Sequence, residues 1–240
     1  VAEQLQQLAI VDSVKWIWKG NLRVPAEEKG EDRFVPEDEP LCNEYGYAHK
    51  QIKMLNGTKL HEAGFQGEGM RVAVIDAGFM NADRISAFDS LRLLGTHNVV
   101  FPGKSVFVGD DHGTKVLSCL AADIPGVMVG TAPKASYLLL KSEDSDSEYP
   151  VEEDYWTAAV EYADSAGVDV ISSSLGYFAF DADELSYEQA ALDGKTAMIS
   201  QAAHLAADKG ILAVPVMKET AIGKRSRSHR MRPGSLRSVR

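Results

Sequence analysis

The sequence predicts an α/β fold: a doubly wound, mostly parallel sheet with helices on both faces, three layers deep. Three observations lead there. The run Val72-Ala73-Val74-Ile75 is apolar without polar alternation, as expected of a strand covered on both faces. Longer segments with apolar residues at helical spacing separate this run from others like it. Strand and helix alternate repeatedly, and right-handed crossovers turn such an order into a parallel sheet. A chain of 240 residues, 45% hydrophobic and 25% charged, is long enough for one such domain.

Each element has its own signal. Within residues 1–45 a short apolar piece, Val11 to Trp18, precedes Pro25 to Pro40, which is rich in Glu, Asp and Pro and reads as an exposed linker. Residues 46–214 form the predicted domain. From Gln51 the apolar positions Ile52, Met54, Leu55 and Leu60 predict one helical stretch ending by Gly64, and Gly67 and Gly69 break the chain before the first strand. A helix is expected over Gly113 to Ala122, with Val116, Leu117 and Leu120 on one face, then a strand from Tyr137 to Leu140. The next helix, Val151 to Ala166, carries Glu152, Glu153 and Asp154 in its first turn, where the helix dipole favours negative charge, and leads to a strand Val168 to Ile171. The helix Thr196 to Lys209 stops at Gly210 before the strand Ile211 to Val214.

Composition excludes several classes. No apolar run reaches the roughly 18 to 20 residues of a membrane span, and no basic segment followed by an apolar one marks a signal peptide. The chain opens at Val1, which predicts a processed product or a fragment. Cys42 and Cys119 permit at most one intrachain bridge. The net charge of -10 is uneven: from Lys218 onward eight basic residues face Glu219 alone, leaving a strongly acidic body that discourages nucleic acid. The acidic stretch Glu143 to Glu148 offers oxygen ligands for calcium but lacks EF-hand spacing, so a solvated loop is expected and no cofactor is required. His49, His61, His97 and His204 lack metal-ligand spacing and read as structural.

Ligands of open α/β sheets sit outside the carboxyl ends of the strands. Asp76 follows the first apolar run directly and is placed at that edge, although a helix cap or loop ion pair explains its position as well. His112 lies in Asp110-Asp111-His112-Gly113-Thr114 at a helix start, where the positive end of the dipole favours the neutral imidazole a general base needs. Gly113 beside it lets another backbone approach closely. Ser174-Leu175-Gly176 ends a strand with unpaired backbone groups that suit an extended peptide, and Gly130-Thr131-Ala132-Pro133 reads as a tight turn.

Val72 to Gly78, His112-Gly113-Thr114 with Val116, Gly130 to Pro133 and Ser174 to Gly176 together resemble the subtilisin-like serine proteases, or subtilases, in order and spacing. The resemblance implies a subtilisin-like fold and a serine endopeptidase with a peptide or protein substrate, outside the cytoplasm. It implies further that Asp76 orients the general base His112, while Ser174, Leu175 and Gly176 bind the substrate backbone. It also implies that residues 1–45 are a propeptide remnant or linker, with Val11 to Trp18 resembling the end of an inhibitory propeptide, and it leaves quaternary state open.

Two parts of the family pattern are missing, so the resemblance implies a fold that is incomplete at its C-terminus. No Gly-Thr-Ser occurs to supply the nucleophile, and Pro215-Val216-Met217 stands where the family has an Ala-Gly-Asn stretch with its oxyanion donor. Losing that donor costs about 10²- to 10³-fold in rate and losing the nucleophile about 10⁶-fold, so this polypeptide is expected to be inactive alone. The compositional break at Pro215 predicts a change of reading frame, with 215–240 a disordered basic tail. A non-catalytic peptide-binding module derived from a protease is the alternative, and a tail that grips nucleic acid is a third reading.

Overall fold

The computed structural model describes residues 43–215. The stretch Val11 to Trp18 and the basic tail from Lys218 lie outside the described residues. In chain order the principal elements are helices α1 (His49–Met54) and α2 (Gly57–Glu62), strands β1 (Arg71–Asp76) and β2 (Arg92–Asn98), helix α3 (His112–Ala121), strands β3 (Asp123–Ile124), β4 (Met128–Val129) and β5 (Ser136–Lys141), helix α4 (Val151–Ser165), strand β6 (Val170–Ser173), helix α5 (Met198–Asp208) and strand β7 (Leu212–Pro215). The main sheet is parallel throughout, in the order β2-β5-β1-β6-β7, with β3 and β4 forming a separate antiparallel hairpin.

The apolar runs follow from this order. β1 and β5 are interior strands, so alternate side chains point to opposite faces and both sets are buried. Val72, Val74, Tyr137 and Leu139 pack with Phe79, Leu117 and Ala121 under α3. Ala73, Ile75, Leu138 and Leu140 pack with Trp156, Ala159 and Ala163 of α4, joined by Ala202 and Ala206 of α5. One helix on one face and two on the other make the three layers. Tyr45 joins Ile52 and Val129 in a third cluster, where His61 bridges the Tyr45 hydroxyl at 3.1 Å and the Thr131 carbonyl at 3.0 Å. The bond to a carbonyl puts the ring hydrogen on Nε2, so the hydroxyl donates to Nδ1.

Several sequence expectations are corrected. The stretch from Gln51 to Gly64 is two short helices, because Asn56 takes a left-handed conformation (φ 56°) between them. The strand expected over Val168 to Ile171 runs Val170–Ser173, two residues later: the Val168 N–H still bonds back to the Ala163 carbonyl of α4, and Asp169 is a bend through which the chain enters the sheet. β2 was not foreseen: it is an edge strand with Leu93 and Leu94 exposed and a register shift before Gly95, so it has no buried apolar face to read. The acidic segment is not solvated throughout, because Glu143 is buried. Of the other histidines expected to be structural, His97 stacks on Tyr162 at 4.5 Å between ring centroids, and His204 bonds the Gly194 carbonyl.

Candidate active site

Asp76 is the last residue of β1, and the alternation that turns Val72 and Val74 toward α3 turns its carboxylate the same way. His112 is the first residue of α3. Two glycines permit the meeting. A Cβ on Gly113 would lie 2.5 Å from the Gly78 carbonyl oxygen and 2.8 Å from the Asp76 Cβ, and one on Gly78 would lie 2.8 Å from the Asp110 carbonyl oxygen. The helix start therefore sits directly on the end of β1. Thr114 locks it there by donating to the Met80 carbonyl at 2.9 Å.

The result is a hydrogen bond of 2.7 Å between His112 Nδ1 and Asp76 Oδ1. A carboxylate only accepts, so Nδ1 carries the hydrogen and Nε2 holds the free lone pair. The same Asp76 oxygen accepts the Ala77 N–H at 2.8 Å. Asp76 has no exposed surface, whereas 42% of the His112 side chain is exposed. Burial raises the Asp76 carboxyl above its ordinary range, and the bond and charge of His112 work against that rise. The arrangement can therefore hold the imidazole rigidly on one side and present a basic nitrogen to solvent on the other.

Lys141 closes β5 opposite Asp76 in register, and its buried ammonium donates to the Ala77 carbonyl. Beside His112 opens a cavity of about 290 Å³ lined by Ala77, Asp110, Glu143, Asp144 and Glu148 among others. Glu152 lies buried near it with Oε1 accepting the Asp144 N–H at 2.9 Å. Burial first, then the charges of Glu148 and Asp144, push its carboxyl up to about 7.

Ser174, Leu175 and Gly176 follow β6, whose Ser173 pairs in register with Ile75, so they leave the sheet at the same end as Asp76. They do not line the cavity beside His112. Their exit is braced from α4. Trp156 Nε1 donates to Ser173 Oγ at 2.9 Å. Glu153 accepts the Tyr187 hydroxyl at 2.6 Å on one oxygen and the Ile199 N–H at 2.9 Å on the other, supplying the N-terminal cap that Ala197 cannot give α5. Gly130 to Pro133 is the expected turn: the Gly130, Thr131 and Ala132 N–H groups bond the last carbonyls of α3 and Ala122.

Sequence reasoning quoted Asp110 and Thr114 within the segment 110–114 but gave neither a role of its own, and it passed over Lys141. The signal of Lys141 is a lysine ending the apolar run Tyr137-Leu138-Leu139-Leu140. Among the described residues no group of three or more His, Cys, Asp or Glu side chains is placed to hold a metal ion, and no helix is long and apolar enough to cross a membrane.

A family model described as the subtilase family matches residues 67–216, more than half of the chain. The chain belongs to the subtilase family. Among curated relatives, subtilisin E of Bacillus subtilis (strain 168) is 32% identical over 150 residues, covering 60% of this chain and 36% of the relative. A thermostable alkaline protease of Halalkalibacterium halodurans is 28% identical over 126 residues, covering 52% of this chain and 33% of the relative. The subtilase segment thus spans about a third of the length of the relatives it matches. Among solved structures, MycP1 with its N-terminal propeptide removed aligns at 20% identity and a TM-score of 0.48, over 70% of this chain and 47% of that one.

Proposed function

We propose that this chain carries the acid and base half of a serine endopeptidase that acts on peptide or protein substrates outside the cytoplasm. The observation that carries the reading is the 2.7 Å bond from His112 Nδ1 to the buried Asp76. His112 Nε2 takes the proton of a serine hydroxyl as that oxygen attacks the scissile carbonyl, then returns it to the leaving amine. Asp76 keeps the ring in the required tautomer and stabilises the imidazolium. Ser174 to Gly176 hold the substrate backbone by strand addition at the end of β6.

The nucleophile and the oxyanion Asn are absent from these 240 residues, so the polypeptide alone is inactive. We attribute their absence to a change of reading frame at about Pro215. The family match ending at residue 216 and the shift there from an acidic to a basic composition support this. Residues 1–45 then belong to a propeptide or linker, and 46–214 to a partial catalytic domain.

A fluorophosphonate probe, which labels only an activated serine, tests both statements. No labelling is expected of the 240-residue chain, and robust labelling would overturn its incompleteness. The locus is then sequenced through the Pro215 codon and expressed in the alternative frame, where labelling is expected. A frame-restored protein that binds peptides but takes no label would be the non-catalytic module.

A further inference from the structure

We propose that Asp110 is a positioning residue for His112, a second carboxylate that fixes the start of α3 and favours the protonated imidazole; the proposal rests on the pairing of His112 with Asp76 described above. Two neighbouring aspartates precede His112, and the structure separates their tasks. Asp111 stands at the helix N-cap but makes no capping bond, and its carboxylate pairs outward with Lys115 at 2.8 Å. Asp110, one residue earlier, is the one turned to the helix start: its Oδ1 accepts the His112 N–H at 2.7 Å. Its Oδ2 accepts the Ser145 hydroxyl at 3.1 Å, and its backbone oxygen accepts the Met80 N–H at 2.9 Å. One residue thus ties α3, the loop after β1 and the loop after β5 together at the edge of the cavity beside His112.

The charge has a second effect. The groups around the imidazole are Asp76 from β1, Asp110 and Asp111 before it, Glu143, Asp144 and Glu148 from the loop after β5, and Lys141 at the end of β5. Asp111 is partly compensated by Lys115, and Lys141 is bonded to the Ala77 carbonyl. Asp110 is ionised more readily than an ordinary aspartate: partial burial works upward, but the His112 N–H, the Ser145 hydroxyl and the charges of His112 and Lys141 outweigh it. A proton arriving on Nε2 is therefore met by two carboxylates in hydrogen-bonded contact with the same residue, one at the ring and one at the backbone.

The test is the NMR titration of the His112 ring in the full 240-residue chain, read beside thermal melting. D110N and D110S both retain a side chain able to accept the His112 N–H and remove the charge. In either variant that melts like the parent, the His112 midpoint is expected to fall by about half a pH unit or more, roughly threefold in proton affinity, and D110E is expected to restore it. D76N is expected to lower it at least as far. An unchanged midpoint in D110N and D110S, with D76N lowering it, would overturn the role of Asp110 alone. If D76N also leaves the midpoint in place, the pairing of Asp76 and His112 fails instead. Collapse of the fold in both neutral variants, with D110E intact, would show a purely structural carboxylate and overturn the proposal too.

Discussion

The two sides of β1 are built differently. Toward α3, backbone meets backbone: Gly113 rests on Gly78 and Gly78 on Asp110, with no room for a methyl group at either contact. Toward β7, the sheet thins into a half-open edge, where Leu212 and Val214 are 57% and 43% exposed and Leu205 of the covering helix is 65% exposed. The proposed acid and base pair, Asp76 and His112, lies on the side with no slack. A site whose groups must meet within a hydrogen bond gains from contacts that side-chain rearrangement cannot relax, whereas the β7 side only has to cover the core.

The contrast is broken most severely by G113A. A methyl group 2.5 Å from a carbonyl oxygen forces α3 off β1, and a loss of about 3 kcal/mol or more in urea unfolding is expected. G95A on the edge strand β2 is the partner measurement, expected to change stability by less than about 0.5 kcal/mol, because its added carbon meets only Leu138 at an ordinary 3.7 Å. A loss in G95A as large as in G113A would erase the distinction.

Next in size is W156F, which deletes the bond to Ser173 and leaves space beside the end of β6; about 2 kcal/mol is expected in the same assay. Beneath the cavity, Glu152 gives a pH signature. Its folded carboxyl, raised to about 7, lies above its unfolded value, so the stabilising contribution is complete below the unfolded value and lost as pH rises through the folded one. Melting temperatures should fall between about pH 4.5 and 7 in the parent and fall less in E152Q, which is expected to be on the order of 1–2 kcal/mol more stable at pH 8. Parallel pH curves would show that Glu152 ionises freely. Smallest is L212K, placed on the open edge, with a change within about 0.5 kcal/mol in urea unfolding; a larger loss would mean that this edge is covered.

Much of this was legible in the sequence because buried parallel strands announce themselves. Val72 to Ile75 is apolar at every position only because helices cover both faces, and Asp76 breaks that run at the sheet end as a lone charged residue. His112 stood out through the glycine after it. β2 was illegible for the opposite reason: an edge strand with an exposed face lacks the apolar run on which the reading depended. The helix break at Asn56 depends on one left-handed residue within an otherwise regular apolar pattern. Asp110 and Asp111 are the same residue type side by side, and only tertiary neighbours, Ser145 for one and Lys115 for the other, decide which faces the site. Glu143 read as solvated because its neighbours in sequence are acidic, while in the structure it is buried.

The single Asp76 oxygen that accepts both the Ala77 peptide and the imidazole has a mechanical meaning. A peptide unit at the end of a strand that is flanked on both sides by others moves less than a free loop, and the ring is pinned to an atom that this unit holds directly. The aim of Nε2 is then set by the sheet's own stiffness, two bonds away, so its wander is expected to follow that of the central strand and not that of the cleft in which it works.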